Sequence, residues 1–186
     1  ACVFVVGDEQ DDHFRFLFKT LDMLGYAWVK NCFHLSHGMV NLPEGRVKSR
    51  EGTVVDADDL VKEVAENAEA QIRAVAEGEL TEEEVSRRAE VIALTAIKFF
   101  LLRQDPRTTM LFDPKQSLDF HGATGPYCLY AYARCKSILR KAGGREEKGT
   151  AFDLLGAAEE LALLHKLAKL PEAVEGAAAK YDPAIL

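Results

Sequence analysis

CVFVVGDEQDDHFRFLFKTLDMLGYAWVKNCFHLSH, residues 2–37, holds the pattern that decides the fold. It opens with a continuous apolar run, Cys2 to Val6, that stops at Gly7, as expected of a strand buried on both faces of a parallel sheet. The polar stretch Asp8 to Asp12 follows. Phe14, Leu17, Phe18, Leu21 and Leu24 then recur at helical spacing and end at Gly25. A second apolar run, Cys32-Phe33-His34-Leu35, comes after Lys30-Asn31. Strand, helix, strand at this length predicts a βαβ unit, the building block of a doubly wound sheet.

Composition sets the frame around this unit. The chain has 186 residues, a formal charge of −7, 48% hydrophobic and 28% charged residues. Those values exclude a disordered chain, a collagen-like chain and a disulfide-rich mini-protein. The longest apolar stretch, Val91 to Leu102, is short and broken by Thr95 and Lys98, so no membrane span is predicted. The acidic balance argues against a general nucleic-acid coat and leaves room for a local basic loop. Cys2, Cys32, Cys128 and Cys135 form no CxxC pair and no zinc spacing, and read as buried free thiols of a reducing cytosol. A chain that opens at Ala1 inside a core strand reads as a fragment, a processed product or the ordered part of something longer.

Beyond the βαβ unit lies a loop from Gly38 to Gly52, punctuated by Pro43 and Gly45. Asp56 or Asp58 is the predicted N-cap of a helix running to about Ala76, ended by Gly78. Thr81 and Glu84 form a capping box for a helix with a broad apolar face (Val85, Ala89, Ile92, Ala93, Ala96, Ile97, Phe100), which fades at Asp105-Pro106. From Pro114 onward the pattern is helical. One helix covers Tyr127 to Lys141 with Pro126 at its start, Thr150 opens another, and Pro171 opens a third. The predicted fold class is an α/β Rossmann-type portion with an incomplete parallel sheet, residues 1–113, followed by an all-α helical bundle, residues 114–186, helix-rich overall.

The densest chemistry lies in Gly45-Arg46-Val47-Lys48-Ser49-Arg50-Glu51-Gly52-Thr53. Three cations and two hydroxyls lie within eight residues, with Gly45 and Gly52 bracketing the cations, in an acidic chain. Such a loop suits a polyphosphate whose charge must be neutralised during transfer; by composition alone a solvated surface loop is the favoured reading, since charge runs are usually solvated. It is not a P-loop, and GxGxxG is absent as well. Gln10 and His13 follow the first strand, where ligands of open α/β sheets sit; helix capping by the neighbouring aspartates explains the same residues. His34-Leu35-Ser36-His37 nearly matches the nucleotide-binding HxGH signature, but Ser36 stands where glycine is needed, so these are strand-end histidines, with His37 near a ligand. Asp11, Asp12 and His13 are adjacent and cannot all face one ion, so no metal site is assigned. Tyr127, Tyr130, Tyr132 and Arg134, with Lys136, Arg140 and Lys141, interleave aromatics and cations, a pattern that fits either base stacking or packing in a bundle.

Taken together, VVGDEQDDHFRFLFKTLDMLGY (residues 5–26), HLSHGMVNLPEGRVKSREGTVVDADDL (34–60), AIKFFLLRQDPRTTMLFDP (96–114) and LDFHGATGPYCLYAYARCKSILRKAG (118–143) resemble the arginyl-tRNA synthetase family of class I aminoacyl-tRNA synthetases. The segments occur in the family's order and span nearly the whole chain. The resemblance implies ATP-dependent formation of arginyl-adenylate, transfer to arginine tRNA, and a cytoplasmic enzyme that uses ATP with Mg2+ as substrate, holds no resident metal and touches no membrane. It places Arg46, Lys48, Ser49 and Arg50 in the mobile loop usually written KMSKS, which grips the ATP phosphates as pyrophosphate leaves. Gln10 then belongs to the L-arginine pocket, His13 and His37 to the ATP side, and the backbone at Met39 and Val40 to adenine. Residues 114–186 become a truncated helical anticodon-binding domain, with Tyr127, Tyr130 and Arg134 toward the tRNA.

Departures from the family pattern accompany the match. The HxGH signature, the arginine-binding residues ahead of the first strand and the domain that touches the tRNA elbow are not among these residues. Ala123 and Leu129 stand where asparagine and glutamine are usual. The resulting expectation is a piece of a longer synthetase that forms no arginyl-adenylate alone. A non-catalytic tRNA-binding or scaffold relative, and an unrelated α/β nucleotide-binding protein, are the other classes. The intact basic loop favours catalytic ancestry over scaffolding.

Overall fold

The computed structural model describes residues 2–42, 45–46, 56–76, 80–119, 122–143 and 154–186. The βαβ unit forms as read: β1 (Cys2–Gly7) pairs in parallel with β2 (Cys32–His37), in register from Cys2↔Cys32 to Gly7↔His37. The crossover helix α1 (Asp11–Met23) lays its aromatic stripe on the sheet, with Phe4 centred 5.3 Å from Phe14 and 5.9 Å from Phe18. Gly25, at φ 84°, ends the helix in the left-handed region open to glycine, and the Tyr26 N–H closes the turn on the Leu21 carbonyl at 3.1 Å.

The strands are not buried on both faces, which corrects the sequence expectation. Val5 is 64% exposed, and Val3 and Phe33 on the same face are open too. Alternate residues of a strand point to opposite faces. The even-numbered Phe4 meets α1, while on the odd-numbered face the ring of Phe33 stacks on Tyr181, 5.0 Å between centroids, and Val5 stays open. The cysteines depart from expectation as well. All four are free, but Cys2, Cys128 and Cys135 are exposed and Cys32 is half-buried.

A second sheet was not foreseen. β3 (Val40–Leu42) pairs antiparallel with β4 (Gly45–Arg46) and parallel with β5 (Met110–Leu111), in the order β4-β3-β5. Strands this short carry no period that a sequence reading can detect. The core of the described residues sits behind this sheet. It is built from α2 (Ala57–Val75), α3 (Glu82–Leu102), β5, Phe112 and Leu118. Small side chains at Ala68, Ala89, Ala93 and Ala96 let α2 and α3 approach closely, and Phe100 meets Phe112 edge-on at 4.9 Å.

The helix starts follow their caps. Asp56, rather than Asp58, caps α2 by accepting from the Asp58 N–H at 3.3 Å, and Thr81 caps α3 by accepting from the Glu84 N–H at 3.3 Å. Asp113 caps the single turn α4 (Pro114–Ser117), and Thr124 caps α5 (Gly125–Lys141). The two helices read in the last stretch are one: α6 (Ala158–Lys180) begins at Ala158 and runs through Pro171. The carbonyl that Pro171 deprives of a donor belongs to exposed Leu167, where water can replace it. The helix start read at Thr150 lies outside the described residues, as do Val54-Val55 and the Gly78 stop.

The C-terminal turn of α2 is tied to the first turn of α3 by an exposed ion pair, Arg73 to Glu82 at 2.6 Å. The hydrogen bond and charge of Arg73 hold the Glu82 carboxyl below its ordinary value. A depressed carboxylate stabilises the fold above its unfolded value and loses that contribution as pH falls through the folded value. Glu82→Gln is therefore expected to lower Tm near neutral pH by no more than about 2 °C, since exposed pairs contribute little. The difference from wild type should vanish in acid and shrink in high salt; a shift that persists in acid contradicts this reading.

Candidate active site

The carboxyl ends of β1 and β2 meet at Gly7 and His37, register partners in the sheet. A Cβ added to Gly7 would lie 3.9 Å from His37 Cε1, so the imidazole sits against the last residue of β1. His37 is half-buried, and its Nδ1 lies 3.0 Å from the Gly38 carbonyl. A short helical turn, Asp8–Gln10, leaves β1 directly and puts Gln10 at the same end of the sheet, exposed. His13 stands in the first turn of α1, exposed, with its ring edge-on to Phe14 at 5.6 Å. Gln10, His13 and His37 thus gather at the end of a parallel sheet where such folds bind ligands.

The chain from His37 to Leu42 is held by a backbone seam. Gly38 donates to the Pro106 carbonyl at 2.8 Å, the Met39 carbonyl accepts from Met110 at 2.9 Å, and the Asn41 carbonyl accepts from Phe112 at 2.7 Å. Because strand polar groups alternate in direction, those of Val40 turn away from β5, toward the edge where β4 pairs with Asn41 and Leu42 among the described residues. Of the Met39-Val40 pair, then, Met39 has its carbonyl engaged within the protein, and Val40 presents its groups to the other edge.

Two polar atoms flank this segment. Among the described residues, Ser36 Oγ and Asn41 Oδ1 are buried without a hydrogen-bond partner. Buried polar atoms are normally paired, so orphans beside a candidate site are acceptors or donors in waiting. Sequence reasoning passed over both, and over Gly38. A lone glycine between a strand and a loop was the available signal for a close backbone approach.

The basic loop springs from this seam. Arg46 is the register partner of Asn41, so the β3–β4 hairpin starts the loop one residue from Val40. Lys48, Ser49 and Arg50 lie outside the described residues. The tyrosine stripe stands elsewhere, on α5. Tyr127 and Tyr130 rings are 6.2 Å apart, and Arg134 donates to the Tyr130 hydroxyl at 2.6 Å while lying 5.6 Å from its ring centre. That hydrogen bond raises the guanidinium's pKa further above its ordinary value. Both tyrosines are about half exposed, so the stripe faces solvent rather than a bundle core. Tyr132 carries Lys136 at 5.5 Å in the same manner. No group of potential metal ligands occurs among the described residues.

A parallel βαβ end, a basic loop rooted in an adjoining hairpin and a following run of helices define a class I synthetase catalytic region joined to a helical domain. Residues 1–113 match the family described as tRNA synthetases class I (R), catalytic domain, and residues 128–186 match the DALR anticodon binding domain. The arginine--tRNA ligase of Treponema denticola is 47% identical over 99% of this chain, and that of Flavobacterium psychrophilum 42% identical over 99%. The solved Thermus thermophilus arginyl-tRNA synthetase superposes with a TM-score of 0.82 at 28% identity, covering 98% of this chain. The chain belongs to the arginyl-tRNA synthetase family. It spans about a third of the length of the curated relatives it matches, 32% and 30% for these two, and 30% of the solved chain.

Proposed function

We propose that the chain works as part of an arginine–tRNA ligase, supplying the later part of the catalytic domain, residues 1–113, and part of the anticodon-binding domain, residues 114–186, in the cytoplasm. The observation that carries the reading is the convergence of Gln10, His37 and the root of the basic loop on one end of the parallel sheet. In the reaction, the carboxylate of L-arginine attacks the α-phosphate of ATP and a P–O bond to pyrophosphate breaks, giving arginyl-adenylate; a hydroxyl of the terminal adenosine of arginine tRNA then attacks the arginyl carbonyl, and AMP leaves. Gln10 contacts arginine; His13 and His37 line the ATP side; Val40, with Met39, meets adenine. Arg46, Lys48, Ser49 and Arg50 close on the phosphates, with Mg2+ accompanying ATP as substrate. Cations that meet the charge only when the loop closes stabilise the transition state above the ground state. Tyr127, Tyr130 and Arg134 offer stacking faces and a fixed charge to tRNA. Among the described residues no helix is long and apolar enough to cross a membrane.

Two measurements test this. The 186-residue chain alone is expected to give no arginine-dependent ATP–pyrophosphate exchange, and clear exchange would prove that expectation wrong. A full-length enzyme in which this chain replaces the matching segment of the Treponema denticola relative is expected to exchange. In that enzyme Arg50→Ala should lower kcat by about 100- to 1,000-fold with arginine KM changed little, as for loss of a transition-state contact. An unchanged kcat with a raised arginine KM sinks the loop assignment. Salt-dependent tRNA binding without exchange by the parent would instead support the scaffold reading.

A further inference from the structure

His34 reads as an ordinary strand residue, yet its ring touches three elements at once. Its Nε2 lies 3.1 Å from the Val6 carbonyl on β1, and its Nδ1 lies 3.3 Å from Asp11 Oδ1 at the start of α1. The ring stacks on Phe14 with centroids 4.3 Å apart and an interplanar angle of 23°. Phe14 in turn backs the ring of His13. The His34 side chain is 9% exposed, whereas Asp11 is 56% exposed.

Val6 and Asp11 bracket the short turn Asp8–Gln10. One side chain on β2 therefore grips the chain just before that turn and just after it. The turn itself has no buried residue and no side-chain cap at its start, so little else among the described contacts fixes Gln10. A proton on Nε2 makes the Val6 contact a hydrogen bond, and a proton on Nδ1 as well makes the Asp11 contact another. The other charged groups that line the same pockets as His34 are Asp12 and Arg15, which pair with each other at 2.9 Å, Arg107, and, on the other side, Asp105, Lys180 and Asp182. β1 brings no charged side chain to the ring, only its backbone and the neighbouring Phe4.

We infer that His34 is a positioning residue for amino-acid recognition: it clamps both ends of the Asp8–Gln10 turn and so sets where the Gln10 carboxamide stands. The inference deepens the arginine-pocket role given to Gln10 above and rests on it. Site groups held by locked second partners are placed to a fraction of an ångström, and a loosened one weakens binding of the group it touches before it affects remote steps.

The test has two parts. In this chain, a long-range 1H–15N spectrum of the histidines should show protons on both Nε2 and Nδ1 of His34, the state in which both contacts are hydrogen bonds; a neutral ring of either tautomer donates to one end only and overturns the clamp. In the full-length enzyme described above, His34→Phe keeps the stack and removes both polar contacts. It should raise the KM for arginine about tenfold and leave the KM for ATP within twofold. His34→Gln, which can still donate to the Val6 carbonyl, should bring arginine KM back to within about threefold of the parent. Asp11→Ala removes the exposed end of the clamp without touching the core, so it serves even where His34→Phe folds poorly; about a threefold rise in arginine KM is expected. Equal rises in both KM values, or an arginine KM unmoved in Asp11→Ala, overturn the inference. An inactive parent enzyme overturns the arginine reading itself, whereas an active parent with unmoved arginine KM overturns this inference alone.

Discussion

Gly38→Ala is expected to lower unfolding free energy by about 3 kcal/mol and to reduce arginine-dependent exchange in the full-length enzyme by about 100-fold. Gly38 is buried where the end of β2 crosses the 106–112 segment. A Cβ there would come within 2.5 Å of the Thr108 carbonyl carbon and 2.6 Å of the Thr109 nitrogen. All the atoms it meets are backbone, so no side-chain rotation can relieve the overlap. The two segments must part, and the seam from Gly38 N–H to Pro106 and from Met110 to Met39 opens with them. That seam is what carries Met39 and Val40 alongside the sheet end and roots the β3–β4 hairpin. Displacing a binding segment by an ångström is enough to cost two orders of magnitude in rate. Urea denaturation of the chain and exchange by the full-length enzyme measure the two effects. A stability change under about 0.5 kcal/mol, within the range of an ordinary surface substitution, would show that the close approach does not hold in solution.

Phe112→Ala is expected to cost about 3–5 kcal/mol, the range for emptying a buried aromatic site. Phe112 has 0% exposure and lies among Phe100, Leu118 and the α2–α3 interface. Its backbone N–H also ends the seam at Asn41. The cavity left by its ring faces two helices and a short strand, which cannot all collapse toward one another. Phe112→Leu keeps most of the volume and should cost markedly less, about 1 kcal/mol. Denaturant midpoints at constant m-value separate the two variants, and equal losses for both would place the residue outside the core.

These predictions rest on parts of the molecule that differ in how visible they were beforehand. The βαβ unit and the caps at Asp56 and Thr81 could be read because their signals are local: an apolar run, a helical period, a side-chain oxygen beside unpaired N–H groups. The basic residues from Arg46 to Arg50 were visible for a similar reason, since cations between glycines stand out in an acidic chain. Pro171 misled, because a proline stops a helix only where its carbonyl partner cannot find water, and exposure at Leu167 is not a local property. The burial expected of β1 failed in the same way, because an apolar strand is covered only if a neighbouring element exists to cover it. His34, Ser36, Asn41 and Gly38 each look ordinary as letters.

Residue order alone determined that a parallel strand pair with a crossover helix would form, where most helices would begin, and that a basic segment between glycines would follow. Each of these announces itself through local signals, even where, as in the strand pair, the partners lie 30 residues apart. Only the tertiary structure decided that segment 38–42 would pair with 110–112, that one histidine would grip both sides of the Gln10 turn, and that the core would gather around Phe112. Those contacts join positions far apart in the chain, and whether they form depends on how closely two backbones can approach and on which donor meets which acceptor.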